Sequence, residues 1–396
     1  MTAYALEWLN LLLRWFHFVA GISWIGTSLY FVWLDNHLTA PENTADKAHG
    51  VSGELWSVHG GGFYHNQKYL TGPVGESLPV ALHWFKWEAY WTWISGIGLL
   101  AIIYWVGASN YLIDRTVLNI TPAEAIAISI ASLIVGWVVY DALCKLLARW
   151  PLALGVCVYA FLVLAAWGLF HVFGARAAYI LIGAIIGTIM AANVAYVIIP
   201  GQKKMVDAIR AGRIPDPLPG QLGKIRSVHN TYFTLPVLFI MISSHYPMTY
   251  ENPYGWLILA GISLSGVLVR YAFILSHKGK LVPALPIAAF LILAAIAVAI
   301  MPRGAGATKH VAFEQVQPIF AQRCAVCHSP RPTQPGFTAA PAGVLLDTPQ
   351  HIASNAQRIY QQTVASAAMP LGNVTGMTKG ERMQIAGWIA SGAPLK

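Results

Sequence analysis

Charge is what this 396-residue chain has least of: 10% of its residues are charged and 56% are hydrophobic. A soluble domain carries about a quarter charged residues, so a mean hydropathy of +0.55 places most of the chain in lipid. Acidic residues are scarcer than basic ones, 16 against 25. In a membrane protein that excess reflects basic cytoplasmic loops. No nucleic-acid motif accompanies it, so no nucleic-acid partner is expected. Cysteine is scarce too, at four residues, and two of them (Cys144 and Cys157) fall in apolar helices, where an inert thiol is expected. The N-terminus lacks the basic start of a signal peptide, and no small-residue cleavage site follows its apolar run. The first helix is therefore expected to be retained.

What the chain does have is Cys324-Ala325-Val326-Cys327-His328, the C-x-x-C-H spacing of a c-type haem attachment site. Two thiols add across the haem vinyl groups, and His328 then sits under the porphyrin as an axial ligand. Met369, in a polar loop downstream, is the candidate sixth ligand, since Met/His ligation is usual in cytochromes c. Half a zinc site, or a disulfide, is the alternative reading of the two cysteines.

A spanning helix needs about 20 mostly apolar residues. Eight candidates run at 8–34, 84–106, 123–146, 152–173, 178–199, 231–247, 255–276 and 281–301. Lys and Arg gather in the odd-numbered loops, most densely between the fifth and sixth helices, which places those loops in the cytoplasm and both termini outside. Haem attachment to C-x-x-C-H occurs in the bacterial periplasm and demands the same orientation. The expected fold is all-α: an eight-helix transmembrane bundle over 1–302, a linker at 303–310, and a small class I cytochrome c domain at 311–396.

Ionisable side chains inside spans are functional hypotheses. Here they are Arg14, His17, Glu88, Asp141 and Arg270. Asp141 and Lys145, four apart, are expected to pair, and Arg270 to pair with Glu88 or Asp141. Among 13 histidines the densest polar stretch is His59-Gly60-Gly61-Gly62-Phe63-Tyr64-His65-Asn66-Gln67-Lys68-Tyr69, in the first cytoplasmic loop. Its glycines allow close backbone approach to a ligand. A second stretch, Arg226-Ser227-Val228-His229-Asn230-Thr231-Tyr232, stands at the cytoplasmic mouth of the sixth helix.

His17 with Trp24-Ile25-Gly26 in the first helix, the His59–Tyr69 loop, His229-Asn230-Thr231-Tyr232 and the fused C-x-x-C-H domain together resemble the membrane-integral bacterial urate hydroxylases, or cytochrome c urate oxidases. The resemblance covers the whole chain. It implies an inner-membrane, multi-pass oxidoreductase of purine catabolism. Urate would be oxidised to 5-hydroxyisourate, and electrons would pass through haem c to a soluble cytochrome c or terminal oxidase. Read for such a flat heterocycle, Gln67, Arg226, Asn230 and Thr231 are candidate substrate contacts, and His59, His65, Lys68 and His229 candidate catalytic groups. The bilayer core, about 30 Å thick, is too wide for one efficient electron transfer from a cytoplasmic site to an outer haem. Either a haem b lies between helices, on His17 and His245, or the substrate binds in the outer half. The first-helix pattern also resembles membrane proteins that bind haem b. Two other classes stand beside this reading: a quinol-linked membrane anchor with a tethered cytochrome, and a transporter with a regulatory haem.

Overall fold

A computed structural model describes residues 2–301 and 311–395; the expected linker at 303–310 lies outside the described residues. Helix α1 (Thr2–His37) leads into a hairpin of β1 (Val51–His59) and β2 (Gly62–Tyr69). Then follow α2 (Trp87–Leu99, prolonged by a π-turn at Leu100–Trp105), α3 (Pro122–Leu146), α4 (Pro151–Phe170), α5 (Ala175–Arg210), α6 (Leu218–Ser243), α7 (Gly255–His277) and α8 (Ala284–Ala299). Five of these, α1, α3, α4, α5 and α7, are long and apolar enough to cross a membrane. Helix α8 is apolar but shorter.

Local sequence accounts for the boundaries. Thr121 and Glu124 form a reciprocal capping box at the start of α3, with Pro122 in the first turn, where its missing N–H costs nothing. Helix α5 is the axis of the bundle. Tyr179, Leu181, Ile185 and Ile189 are fully buried, and α2, α3, α4 and α6 pack around it. Small residues let the helices close: a Cβ on Gly136 of α3 would lie 2.6 Å from Ile185 Cγ2, and one on Gly183 of α5 would lie 2.5 Å from Ile240 Cγ2 of α6.

The structure differs from the sequence expectation at three places. The loop between the first two spans is an antiparallel hairpin, which an all-α reading does not contain. Gly60 and Gly61, at φ 59° and 80°, make the two-residue turn that such a hairpin favours. Helix α5 runs on past 199 to Arg210, because a π-turn at Asn193–Ile198 accommodates Pro200 just beyond it. Helix α6 begins at Leu218 rather than 231, so Arg226 to Tyr232 is helical and not a loop.

Residues 311–395 pack around a separate core. Helix α9 (Phe313–Arg323) crosses α10 (Lys379–Ala390), and fully buried Trp388 meets the rings of Phe313 and Phe320 at 5.7 and 5.6 Å. A second capping box, Thr378 with Glu381, starts α10. This unit rests on the end of the bundle that follows α2. Asn110 Nδ2 donates to Pro335 O at 3.1 Å, and a Cβ on Gly372 would come within 2.9 Å of Ile113 O.

Gly136→Val should destabilise the bundle by about 1–3 kcal/mol, the usual cost of overpacking. Thermal unfolding in detergent reads this directly. An unchanged midpoint would mean that α3 and α5 separate at no cost.

Candidate functional site

Polar side chains inside an apolar bundle must satisfy one another. Here α3, the π-turn of α5 and α6 bring six of them together. Arg226 Nη2 donates to Asp141 Oδ1 at 2.5 Å, and Nη1 to Asn193 Oδ1 at 3.3 Å. Asn193 Nδ2 donates to the Tyr140 hydroxyl oxygen at 3.0 Å and to Asn230 Oδ1 at 2.9 Å. Asn230 Nδ2 reaches the Met190 carbonyl at 3.0 Å. The Tyr140 hydroxyl lies 2.8 Å from His229 Nδ1. The Arg226 guanidinium also lies over the rings of Tyr140 and Trp137, at 5.1 and 5.9 Å.

A cavity of about 540 Å³ opens beside this network, walled by Trp137, Asp141, Cys144, Lys145, Tyr196 and Arg226. Arg226 belongs to both wall and network. His229 and Asn230 stand in the network, outside the cavity wall, and Thr231 is buried with its hydroxyl donating to the Ser227 carbonyl. The expected Asp141–Lys145 pair is present at 2.7 Å. The expected pairing of Arg270 is not found. Asp141 is taken by Lys145 and Arg226, and Arg270, which is buried, keeps Nε and Nη2 without a partner among the described residues.

The hairpin residues form a different group. His65 Nε2 lies 2.8 Å from Glu54 Oε2, and its ring stacks on Trp56 with centroids 4.2 Å apart. The backbone N–H of Glu42, 2.9 Å away, holds the Glu54 carboxyl below its ordinary range; burial opposes this and His65 assists it. Gln67 accepts from the Tyr69 hydroxyl at 3.2 Å. His59 is exposed at the turn. Lys68 pairs with Asp35 at the end of α1, and Asp35 lies 3.7 Å from Lys224 of α6. The hairpin is thus tied to the end of α6 that carries Arg226, while the polar partners of its own side chains are elsewhere.

In the C-terminal unit Cys324 and Cys327 are not paired in a disulfide. No group of three or more His, Cys, Asp or Glu suited to a metal occurs among the described residues. Burial, with Cys327 close by, pushes the Cys324 thiol up to about 12. His328 Nδ1 lies 3.0 Å from the Val344 carbonyl. A carbonyl only accepts, so Nδ1 carries the proton and Nε2 is left with its lone pair, as an axial haem ligand requires. Met369 is half-buried, with its carbonyl accepting from Arg382 Nη1 at 2.6 Å and its N–H donating to Gln362 O at 2.8 Å. The donor set fits a covalent haem.

His17 and His245 both line a second cavity, of about 460 Å³. Sequence reasoning overlooked Asn193, Tyr140 and Arg176. Asn193 carried a signal, as the lone amide in the apolar run 178–199. Where the C-terminal unit meets the bundle, burial and then nearby Asp114 push the Glu251 carboxyl up to about 8, while Arg382 and Arg176 pull it down.

A family model described as urate oxidase N-terminal matches residues 3–301. No curated protein and no solved structure matches the chain.

Two outcomes are expected. Asp141→Ala strands a buried guanidinium and should cost about 3–5 kcal/mol, read by thermal unfolding in detergent; a smaller loss would mean that Asn193 suffices. Glu251 titrates above its unfolded value, so its contribution to stability is complete in acid and is lost as pH rises through about 8. The midpoint of the parent chain should therefore fall relative to Glu251→Gln over that range. Parallel pH profiles would show that Glu251 is solvated.

Proposed function

The chain belongs to the urate oxidase N-terminal family, and on that premise we propose that it is a urate hydroxylase of the bacterial inner membrane, delivering electrons to its own C-terminal cytochrome c domain. In this reading all eight helices of the bundle, α1 to α8, span the bilayer. The hairpin face is cytoplasmic, and both termini are periplasmic. The balanced reaction is urate plus water giving 5-hydroxyisourate, two protons and two electrons.

The observation that carries the reading is the cavity beside Arg226. Urate is a flat anion with donors and acceptors around its edge. Trp137 and Tyr196 supply aromatic faces on the cavity wall, with centroids 6.1 Å apart. Arg226 offers its guanidinium edge, and the Lys145 ammonium, largely exposed, offers charge for the anion. Asn193, Tyr140, His229 and Asn230 hold Arg226 and its neighbours in place, so the binding geometry is set before substrate arrives. Released protons leave to water at this open face. Cys324, Cys327, His328 and Met369 would hold a covalent haem, which would supply a one-electron acceptor in the C-terminal unit. The segment from Lys309 to Lys396 has seven basic and three acidic residues, which favours an acidic cytochrome or oxidase surface as the onward acceptor.

Anaerobic mixing of the oxidised protein with urate tests the reading. Haem reduction, with product accumulating once an external cytochrome is supplied, is expected. Trp137→Ala and Lys145→Ala should each raise KM for urate roughly tenfold, the equivalent of about 1.4 kcal/mol, with the chemically reduced haem spectrum unchanged. Arg270→Gln should leave KM as it was; the reverse pattern would move the substrate to α7. Peroxide formed one-for-one with urate while the haem stays oxidised would reject the electron route. Reduction by quinol but not urate would favour the anchor, and urate uptake without redox change the transporter.

A further inference from the structure

Between α1, α2, α5 and α6 lies a cavity of about 460 Å³ whose wall carries Arg14, His17, Arg176 and His245 and is otherwise mainly apolar. No acidic residue lines it among the described residues. We propose that this cavity is the site of a second, non-covalent haem of the b type, held axially by His17 and His245, with its propionates on Arg14 and Arg176. The inference rests on the electron route above, which has to cross a bilayer core of about 30 Å.

Four features carry it. First, His17 is oriented as a metal ligand is oriented. Its Nδ1 lies 2.9 Å from the Thr92 carbonyl and 3.0 Å from Ser95 Oγ. The carbonyl requires the proton on Nδ1, which leaves the Nε2 lone pair for a metal. Second, the wall is cut away for something flat. A Cβ on Gly96 would come within 3.0 Å of His17 Cε1, so glycine there gives the ring its place. Gly187, also in the wall, has nothing within 4 Å of where its Cβ would stand. Third, the charges are of one sign. Arg176 Nε is buried with no acceptor among the described residues, a costly state for a charged donor. Two arginines and no acid suit an apolar ligand bearing two carboxylates. A quinone has no anionic group to offer them.

Fourth, the cavity lies along the route. Met190 lines it, and the Met190 carbonyl accepts from Asn230 of the polar network. Tyr104 and Arg176 line it toward the other end, where Arg176 and Arg382 of the C-terminal unit both act on Glu251. From Met190 to Arg176 the rise of α5 is about 21 Å, at roughly 1.5 Å per residue. A macrocycle in this space divides one long transfer into two shorter ones. Each urate then yields its two electrons singly, through this haem and the covalent one, to an oxidised one-electron carrier outside.

The test is haem accounting on the full-length protein purified in detergent. Acid–acetone extraction removes non-covalent haem and leaves the thioether-bound haem on the polypeptide. Two haems per chain are expected, one extractable. His17→Ala and His245→Ala should each lose extractable haem or turn its spectrum from six- to five-coordinate, with covalent haem and elution volume unchanged. In His17→Gly, added imidazole should restore the spectrum. Arg176→Gln should retain less extractable haem through gel filtration. One haem per chain, all covalent, in protein that still oxidises urate would overturn this inference and leave the proposed function standing. So would extractable haem indifferent to both histidines, or recovery of quinone in its place. Two haems with the predicted dependence on His17, neither reduced by urate, would instead reject the proposed function and keep the haem site.

Discussion

A guanidinium placed among apolar helices has to find its counter-charge there. Arg226 finds Asp141 on α3 and the Asn193 amide on α5, and the local arrangement follows from that need. The amide of Asn193 is spent on three partners at once, which orders Tyr140 and Asn230 around it. The π-turn at Asn193–Ile198 begins at this amide, and π-turns are frequent at functional positions. Three helices are thereby held in one register, and a cavity wall is left with a fixed cation at its edge. A network of this kind is costly when half satisfied, so its completeness ties stability to the site.

The second constraint is thickness. The polar network and the C-terminal unit sit at opposite ends of the bundle, because the C-terminal unit packs where α2 exits and Arg226 lies near the opposite end of α6. On the proposed reading, protons would leave from one face and electrons would be collected at the other, with a conducting group between them. The cavity holding His17 and His245 occupies the interval, with glycines where helices would otherwise close. Gly183 and Gly187 show both uses of a small residue: the first lets α6 approach to contact, and the second leaves open space.

Much of the fold was legible in the chain. Apolar length marked where the helices lie, since hydrocarbon accepts little else. Thr121-Pro122-Ala123-Glu124 marked the start of α3 through local hydrogen bonding alone. The C-x-x-C-H spacing is likewise legible without the fold, because the chemistry of haem attachment is written in contiguous residues. The stretch His59 to Tyr69 is a paired hairpin rather than an irregular loop, because glycine and polar density look alike in both and only strand pairing across Gly60-Gly61 separates them. The start of α6 was placed too late because polar residues in a row mimic a loop when their buried partners on other helices are unseen.

By itself, the sequence determined the apolar character of the chain, the approximate helix positions and the C-x-x-C-H spacing. These rest on composition, periodicity and short spacings, which are properties of neighbours along the chain. Only the tertiary structure decided that Arg226 answers Asp141 and Asn193 rather than leaving Asp141 to Arg270. It alone placed His229 in the network instead of on the cavity wall, and brought His17 and His245 to one cavity. Those are contacts between segments tens of residues apart. Which partner a buried polar group takes depends on helix packing, and no local pattern encodes that choice.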